Sequence, residues 1–91
     1  MSPSSEARVV EHVLRLTADL HARPAGQLAQ AAARFAAVVT VSVAGRQANA
    51  RSVLAVMGLG ATAGSDVTLT ADGADAEAAL DALAEILRTA E

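Results

Sequence analysis

The stretch VVTVSVAGRQAN, residues 38–49, decides the fold of this chain. Its first half alternates, so that Val39, Val41 and Val43 share one face, which is typical of a strand with one buried side. Ala44-Gly45 is short enough for a tight turn, and the residues that follow can return as a partner strand. The stretch therefore predicts a β-hairpin, with strands over residues 38–43 and 46–49.

Upstream of the hairpin, the sequence predicts one strand, one loop and one helix. Residues 9–17 alternate between apolar and polar, as in a half-buried strand, and residues 18–21 break the alternation. Pro24 can open a helix, because its missing N–H costs nothing in the first turn. Residues 25–35 carry an apolar stripe at helical spacing. The stripe consists of Leu28, Ala31, Ala32 and Phe35.

Downstream of the hairpin, the sequence predicts a short helix, a strand and a long helix. Ser52 is a predicted N-cap for a helix over residues 53–57, which glycines end. Residues 66–71 alternate as a fourth strand, and residues 75–89 carry a long apolar stripe with acids early and Arg88 late. The order of elements predicts an α+β domain of two layers, with the helices on one face of the sheet.

Composition limits the size of the core and the number of domains. The chain has 91 residues, of which 53% are hydrophobic, but 24 are alanine and only one is aromatic. A chain of this length fits one domain with one modest core. We expect that domain to span residues 8–90, preceded by a flexible polar leader over residues 1–7.

Composition also excludes several classes of function. The net charge is −3, which disfavours nucleic-acid binding through a basic face. There is no cysteine, and two histidines alone make a metal site improbable, so we predict neither metal nor cofactor. No apolar run approaches the ~20 residues of a membrane span, and the N-terminus lacks the features of a signal peptide. The sequence therefore predicts a cytoplasmic domain without direct membrane contact.

The segment LHARPA, residues 20–25, contains the residues most suited to chemistry. His21 ends a loop, Arg23 follows, and Pro24 opens a helix whose unpaired N–H groups form an anion site. Arginine suits phosphate, and neutral imidazole is a nucleophile near physiological pH. The arrangement predicts reversible phosphorylation of His21. The alternative is a loop histidine satisfied by a local hydrogen bond.

Two segments resemble one family. LHARPA resembles the active-site signature of HPr, the histidine-containing phosphocarrier of the bacterial phosphoenolpyruvate:sugar phosphotransferase system. NARSVLAVMGLG, residues 49–60, resembles the serine-phosphorylation segment of the same family. Because the spacing and the order of elements also match, the chain is identified as a member over about residues 8–90. The resemblance implies an open-faced β-sandwich: a four-stranded antiparallel sheet with three helices on one face, in the order βαββαβα.

The resemblance implies a role for each matching residue. His21 would accept a phosphoryl group at Nδ1 from Enzyme I, which takes it from phosphoenolpyruvate, and would pass it to the IIA component of a sugar permease. Arg23 would neutralise the phosphoryl group, and Ser52 would be the target of a regulatory serine kinase. The chain would be a monomeric carrier, not an enzyme. Its docking surface would include Ala22, Gly26, Val53, Leu54 and Met57.

The chain departs from the family pattern at two positions, and three rival functions are compatible with its sequence. Asp19 stands where the family commonly has glycine, and its carboxylate would either disfavour an incoming phosphoryl group or point to solvent. Gly26 stands where alanine is usual, and Ser52 can be an N-cap alone. The rival functions are a regulatory, nitrogen-branch HPr, a non-phosphorylated α/β interaction module, and an enzyme with a histidine nucleophile. An enzyme would need a second acid or base and a deep pocket, which this short chain does not suggest.

Overall fold

The computed structural model describes residues 9–90, so the leader predicted over residues 1–7 lies outside the described residues. Seven elements follow one another in the predicted order, βαββαβα. They are β1 (Val9–Arg15), α1 (Ala22–Ala32), β2 (Val38–Val43), β3 (Arg46–Asn49), α2 (Val53–Met57), β4 (Asp66–Asp72) and α3 (Ala76–Thr89). The α+β class and the antiparallel sheet are confirmed, and the bounds of β2, β3 and α2 are those the sequence predicts.

The four strands form one antiparallel sheet in the order β1-β4-β2-β3. β4 is central: its Ala71 lies opposite Val10 of β1 on one side and Val39 of β2 on the other. In the β2–β3 hairpin, Ala44 and Gly45 have φ values of 51° and 81°. Two positive φ values in a two-residue turn match the twist of the flanking strands, which explains why so weak a turn sequence still closes the hairpin.

The core lies between one face of the sheet and the helices. Val41, Val67 and Leu69 of the sheet are fully buried, as are the large side chains of α1 and α3. The helices bury leucine and alanine together, and the small alanine side chains allow close packing against the sheet. No polar or charged residue among residues 9–90 is buried. The buried large side chains of α1 and α3 are Leu28, Leu80, Leu83 and Leu87.

The bounds of α1 differ from the prediction at both ends. The helix begins at Ala22 and not at Pro24, which is its third residue. Proline is tolerated there because the first four N–H groups of a helix have no partner within it. The helix ends at Ala32 and not at Phe35, since the N–H groups of Arg34 and Phe35 bond three residues back and tighten the last turn.

Two strands also end differently from the prediction. β1 ends at Arg15 and not at Thr17, because Leu16 pairs instead with the loop before β4. Its N–H donates to the Ser65 carbonyl at 2.9 Å, and its carbonyl accepts from the Gly64 N–H at 2.9 Å. β4 runs one residue further than predicted, to Asp72, which lies opposite both Val9 and Val38.

Asp75 lies one residue outside the helix it was predicted to begin, and its side chain serves another segment. Its carboxylate accepts from the N–H groups of Ala36 and Ala37, both at 2.8 Å. The bond from the Ala36 N–H is the main reason that the pKa of Asp75 lies below its ordinary value, and the bond from the Ala37 N–H adds to it. Because the pKa is lower in the folded than in the unfolded protein, ionised Asp75 stabilises the fold at pH values above the unfolded-state pKa. This stabilisation is lost as the pH falls through the folded-state pKa.

Gly73, in the turn between β4 and α3, is held against the same segment. Its φ is 152°, and a Cβ atom there would lie 2.7 Å from the Cα of Ala37. A side chain would therefore meet both an unfavourable backbone conformation and a backbone neighbour. The glycine and the Asp75 bonds together fix the start of α3 against the connection between α1 and β2.

Candidate functional site

His21 is the N-cap residue of α1. Its backbone is extended, and its carbonyl accepts from the Ala25 N–H at 3.0 Å, which is the first hydrogen bond of the helix. The imidazole makes no capping hydrogen bond, and the side chain is 80% exposed. The structure thus presents a solvent-facing histidine where the sequence predicts one, at the end of a loop and the start of a helix.

Arg23 and the start of α1 offer positive charge beside this histidine. The first turn of α1 contains no acidic residue, so nothing in it opposes the positive end of the helix dipole. Arg23 is exposed and makes no ion pair or side-chain hydrogen bond to any residue between 9 and 90. With Gln27 and Thr89, among others, it lines a shallow cleft of about 260 Å³. Among residues 9–90, no side chain therefore occupies the guanidinium, although His21 does not line the same cleft.

Asp19 also belongs to this site. Its Oδ2 lies 3.5 Å from Nε2 of His21, and its Oδ1 accepts from the Ala63 N–H at 2.8 Å. Of the two orientations that the sequence left open, the carboxylate does not simply point to solvent. Sequence reasoning noted Asp19 as unusual but missed Ala63, because no local pattern signals a partner 44 residues away.

The loop that carries His21 is attached to the loop before β4. Leu20 is buried, and its N–H donates to the Ala61 carbonyl at 3.0 Å. A tight turn holds the second loop, since the Thr62 N–H donates to Oγ of Ser65 at 3.1 Å. The backbone just before His21 is therefore held by two contacts with the loop before β4, one at Asp19 and one at Leu20.

Ser52 is the N-cap of α2, as predicted. Its Oγ accepts from the Ala55 N–H at 3.2 Å, and the residue is exposed. The preceding turn is held by Arg51, whose N–H donates to Oδ1 of Asn49 and whose guanidinium donates to the Phe35 carbonyl at 2.6 Å. The hydroxyl thus faces solvent on a well-anchored turn.

The predicted docking residues lie on α1 and α2, which pack against each other. Val56 is the α2 residue that enters the core, whereas Leu54 is 81% and Met57 37% exposed. Val53 is half-buried against the core, so the short helix keeps only part of its apolar surface inside. Leu54 and Met57 are three residues apart and so are neighbours on the helix surface, which makes them a candidate protein-binding patch.

On α1, the predicted docking positions are open. Ala22 is exposed, and no atom lies within 4 Å of the place where a Cβ of Gly26 would stand. Packing within residues 9–90 therefore does not require the glycine, and an alanine there would fit without displacing a neighbour.

No helix within residues 9–90 combines the length and the apolar character needed to cross a bilayer. Nor do the side chains of this region bring together three or more histidine, aspartate or glutamate residues in a cluster fit for a metal ion.

Comparison with known proteins agrees with this geometry. A family model described as the PTS HPr component phosphorylation site matches residues 10–89. The phosphocarrier protein HPr of Cupriavidus necator is 46% identical over 68 residues, which cover 75% of this chain and 76% of that protein. HPr of Lysinibacillus sphaericus is 44% identical, covering 75% and 77%. The crystal structure of HPr from Bacillus anthracis superimposes with a TM-score of 0.82 at 36% identity, covering 88% of this chain and 98% of that one. The chain therefore belongs to the HPr family, the phosphocarriers of the phosphotransferase system, which relay a phosphoryl group and are not enzymes.

Proposed function

We propose that His21 is the residue with which this phosphocarrier accepts a phosphoryl group from Enzyme I and passes it to the IIA component of a sugar permease. The observation that carries the proposal is the exposed imidazole at the N-cap of α1, free of any capping bond and followed by Arg23. In this proposal the chain works as a monomer, since one histidine and one docking face serve the phosphoryl donor and the acceptor in turn. We propose the cytoplasm as its compartment.

The chemistry needs a nucleophile and a place for negative charge. The lone pair of Nδ1 attacks phosphorus, and charge builds on the phosphoryl oxygens. The unpaired N–H groups at the start of α1 and the free guanidinium of Arg23 can both donate to those oxygens. The helix N–H groups are held in place before the reaction, so they stabilise the charge without first having to rearrange. Arg23, two residues after His21 in sequence, would add its charge from an exposed side chain.

A relay assay tests the proposal directly. The protein is incubated with Enzyme I and labelled phosphoenolpyruvate, and the IIA component is then added. We expect one acid-labile phosphate per chain, which moves to the IIA component after its addition. If an Enzyme I that labels another HPr leaves this chain unlabelled, the proposal is contradicted.

We propose further that Leu54 and Met57, together with Val53, Ala22 and Gly26, form the surface on which both partners dock. Leu54→Ala removes a side chain that is 81% exposed and carries almost no core contact. We expect it to raise the KM for phosphorylation by Enzyme I about tenfold, as loss of an interface anchor does, with kcat unchanged. The measurement is the initial rate against the concentration of the carrier.

Val13→Ala is the matched control for the docking surface. Val13 is a comparably exposed apolar residue, at 68%, but it lies on the open face of the sheet. We expect its KM to equal that of the wild type. Equal KM values for Leu54→Ala and Val13→Ala would place the docking surface elsewhere.

Ser52 is our proposed regulatory site, the target of a serine kinase. Its exposed hydroxyl lies two residues before Leu54, so a phosphate there would bring charge onto the docking surface and oppose binding. Mass spectrometry of the protein from its own host, grown on several carbon sources, should detect modified Ser52 on at least one of them. Unmodified Ser52 on all of them would leave it an N-cap and nothing more.

A further inference from the structure

We propose that Asp19 is a positioning residue for His21. Its carboxylate holds the imidazole in the tautomer that carries hydrogen on Nε2 and leaves the lone pair of Nδ1 free to bond to phosphorus. This inference deepens the proposed function of His21 and rests on it.

The carboxylate of Asp19 is held from outside the helix. Oδ1 of Asp19 accepts from the Ala63 N–H at 2.8 Å, which directs the other oxygen toward His21. Leu20, between Asp19 and His21, is buried and bonded to the Ala61 carbonyl at 3.0 Å. The carboxylate of Asp19 and the backbone of Leu20 are thus both held in place before any partner binds, as effective positioning requires.

The two ring nitrogens of His21 have different surroundings. Oδ2 of Asp19 lies 3.5 Å from Nε2, which is a close electrostatic contact and longer than a formed hydrogen bond. Because an ionised carboxylate can accept a hydrogen bond but cannot donate one, its charge favours hydrogen on that nitrogen. Nδ1 is left free, because the imidazole makes no capping bond to the helix. Pro24, at the third helical position, has no N–H with which to draw a ring nitrogen toward the helix.

The charge on the imidazole ring of His21 changes during phosphoryl transfer. The lone pair of Nδ1 forms the N–P bond, the bond from phosphorus to the donor breaks, and its electron pair leaves with the donor. Hydrogen stays on Nε2, and the ring takes up positive charge. Charge-assisted N–H···O bonds are about 2.7–2.9 Å long, so we expect the Asp19–His21 contact to shorten at this stage. Transfer to the acceptor reverses each change.

The negative charge of Asp19 acts on the phosphoryl group as well, but more weakly. The carboxylate faces Nε2, whereas phosphorus bonds to the other nitrogen and so lies farther away. The Asp19 side chain is 43% and the His21 side chain 80% exposed, so water screens both interactions, and the more distant one is screened more. The nearer interaction, with the charged ring, therefore dominates.

Asp19→Asn tests the positioning role, because it replaces the carboxylate oxygen that faces Nε2, a hydrogen-bond acceptor, by an NH₂ group, which is a donor. The amide oxygen can still accept from the Ala63 N–H, which leaves the NH₂ group facing Nε2. That group donates to a bare Nε2 and so favours hydrogen on Nδ1, the nitrogen that must attack. The tautomer is read from the ¹⁵N chemical shifts of His21 in alkaline buffer, where imidazole is neutral.

Asp66→Asn is the matched control. It also removes one carboxylate, but from an exposed pair with Arg15 at the end of β1. We expect wild type and Asp66→Asn to carry hydrogen mainly on Nε2, and Asp19→Asn to shift toward Nδ1. We also expect phosphorylation of Asp19→Asn by Enzyme I to be about tenfold slower, as when a partner that orients a histidine is lost.

The two measurements separate the possible failures. A tautomer balance or a phosphorylation rate equal to that of Asp66→Asn overturns the positioning role, and faster phosphorylation of Asp19→Asn means that repulsion dominates and overturns it too. If the wild type accepts no phosphate, the proposed function of His21 has failed. The tautomer comparison then still reports whether Asp19 orients the ring.

Discussion

A His21→Ala variant will carry no acid-labile phosphate after incubation with Enzyme I and labelled phosphoenolpyruvate. No other side chain near the start of α1 offers a nitrogen nucleophile, so the label should vanish and not merely fall. Because His21 is 80% exposed and makes no capping bond, its loss should change the free energy of unfolding by no more than about 0.5 kcal/mol. An unchanged unfolding curve then shows that the fold is intact.

His12→Ala is the control for the loss of a histidine. His12 lies on β1 opposite Leu69 of β4, is half-buried, and precedes the loop that carries His21. We expect this variant to be labelled like the wild type. Label that persists in His21→Ala, or that disappears in His12→Ala alone, would move the acceptor away from His21.

The largest effect on stability is expected from Gly73→Ala. The φ of 152° costs any side chain about 1–3 kcal/mol, and overpacking against the Ala37 backbone, 2.7 Å from the new Cβ, adds a comparable amount. We expect a total loss of about 3 kcal/mol in the free energy of unfolding, measured by denaturant titration.

Gly64→Ala separates the two causes. Gly64 also has a positive φ, 91°, but nothing lies within 4 Å of its added Cβ. It should therefore show the backbone cost without the contact, about 1 kcal/mol. If both variants lose the same stability, the close approach of Gly73 to Ala37 contributes nothing and our account of this turn is wrong.

The order of elements could be predicted from the sequence because each element has its own period. Residues 38–43 repeat every two residues and residues 76–89 follow the helical spacing, so local physics and the final fold agree there. The end of α1 could not be predicted in this way. The stripe continues to Phe35, but the N–H groups of Arg34 and Phe35 bond three residues back. Those of Ala36 and Ala37 then bond to Asp75, which lies 39 and 38 positions away.

In the candidate site, too, some features follow from local sequence and others depend on distant residues. The placement of His21 and Arg23 follows from one six-residue segment, in which proline and the helix start lie next to the histidine. For Asp19, the sequence showed only an unusual residue next to the predicted site. Its environment depends on the Ala63 N–H, and a backbone donor has no signature in a sequence, since nearly every residue has one.

The central place of β4 governs when a growing chain can become a working carrier. β4 is the sixth of seven elements, yet β1 pairs with it alone, and the His21 loop is bonded to residues 61 and 63 just before it. A nascent chain shorter than about 66 residues can close the β2–β3 hairpin but has no partner for β1. Pairings so distant in sequence also form slowly. The loop that carries the histidine is therefore held in position only after about three quarters of this sequence has been made.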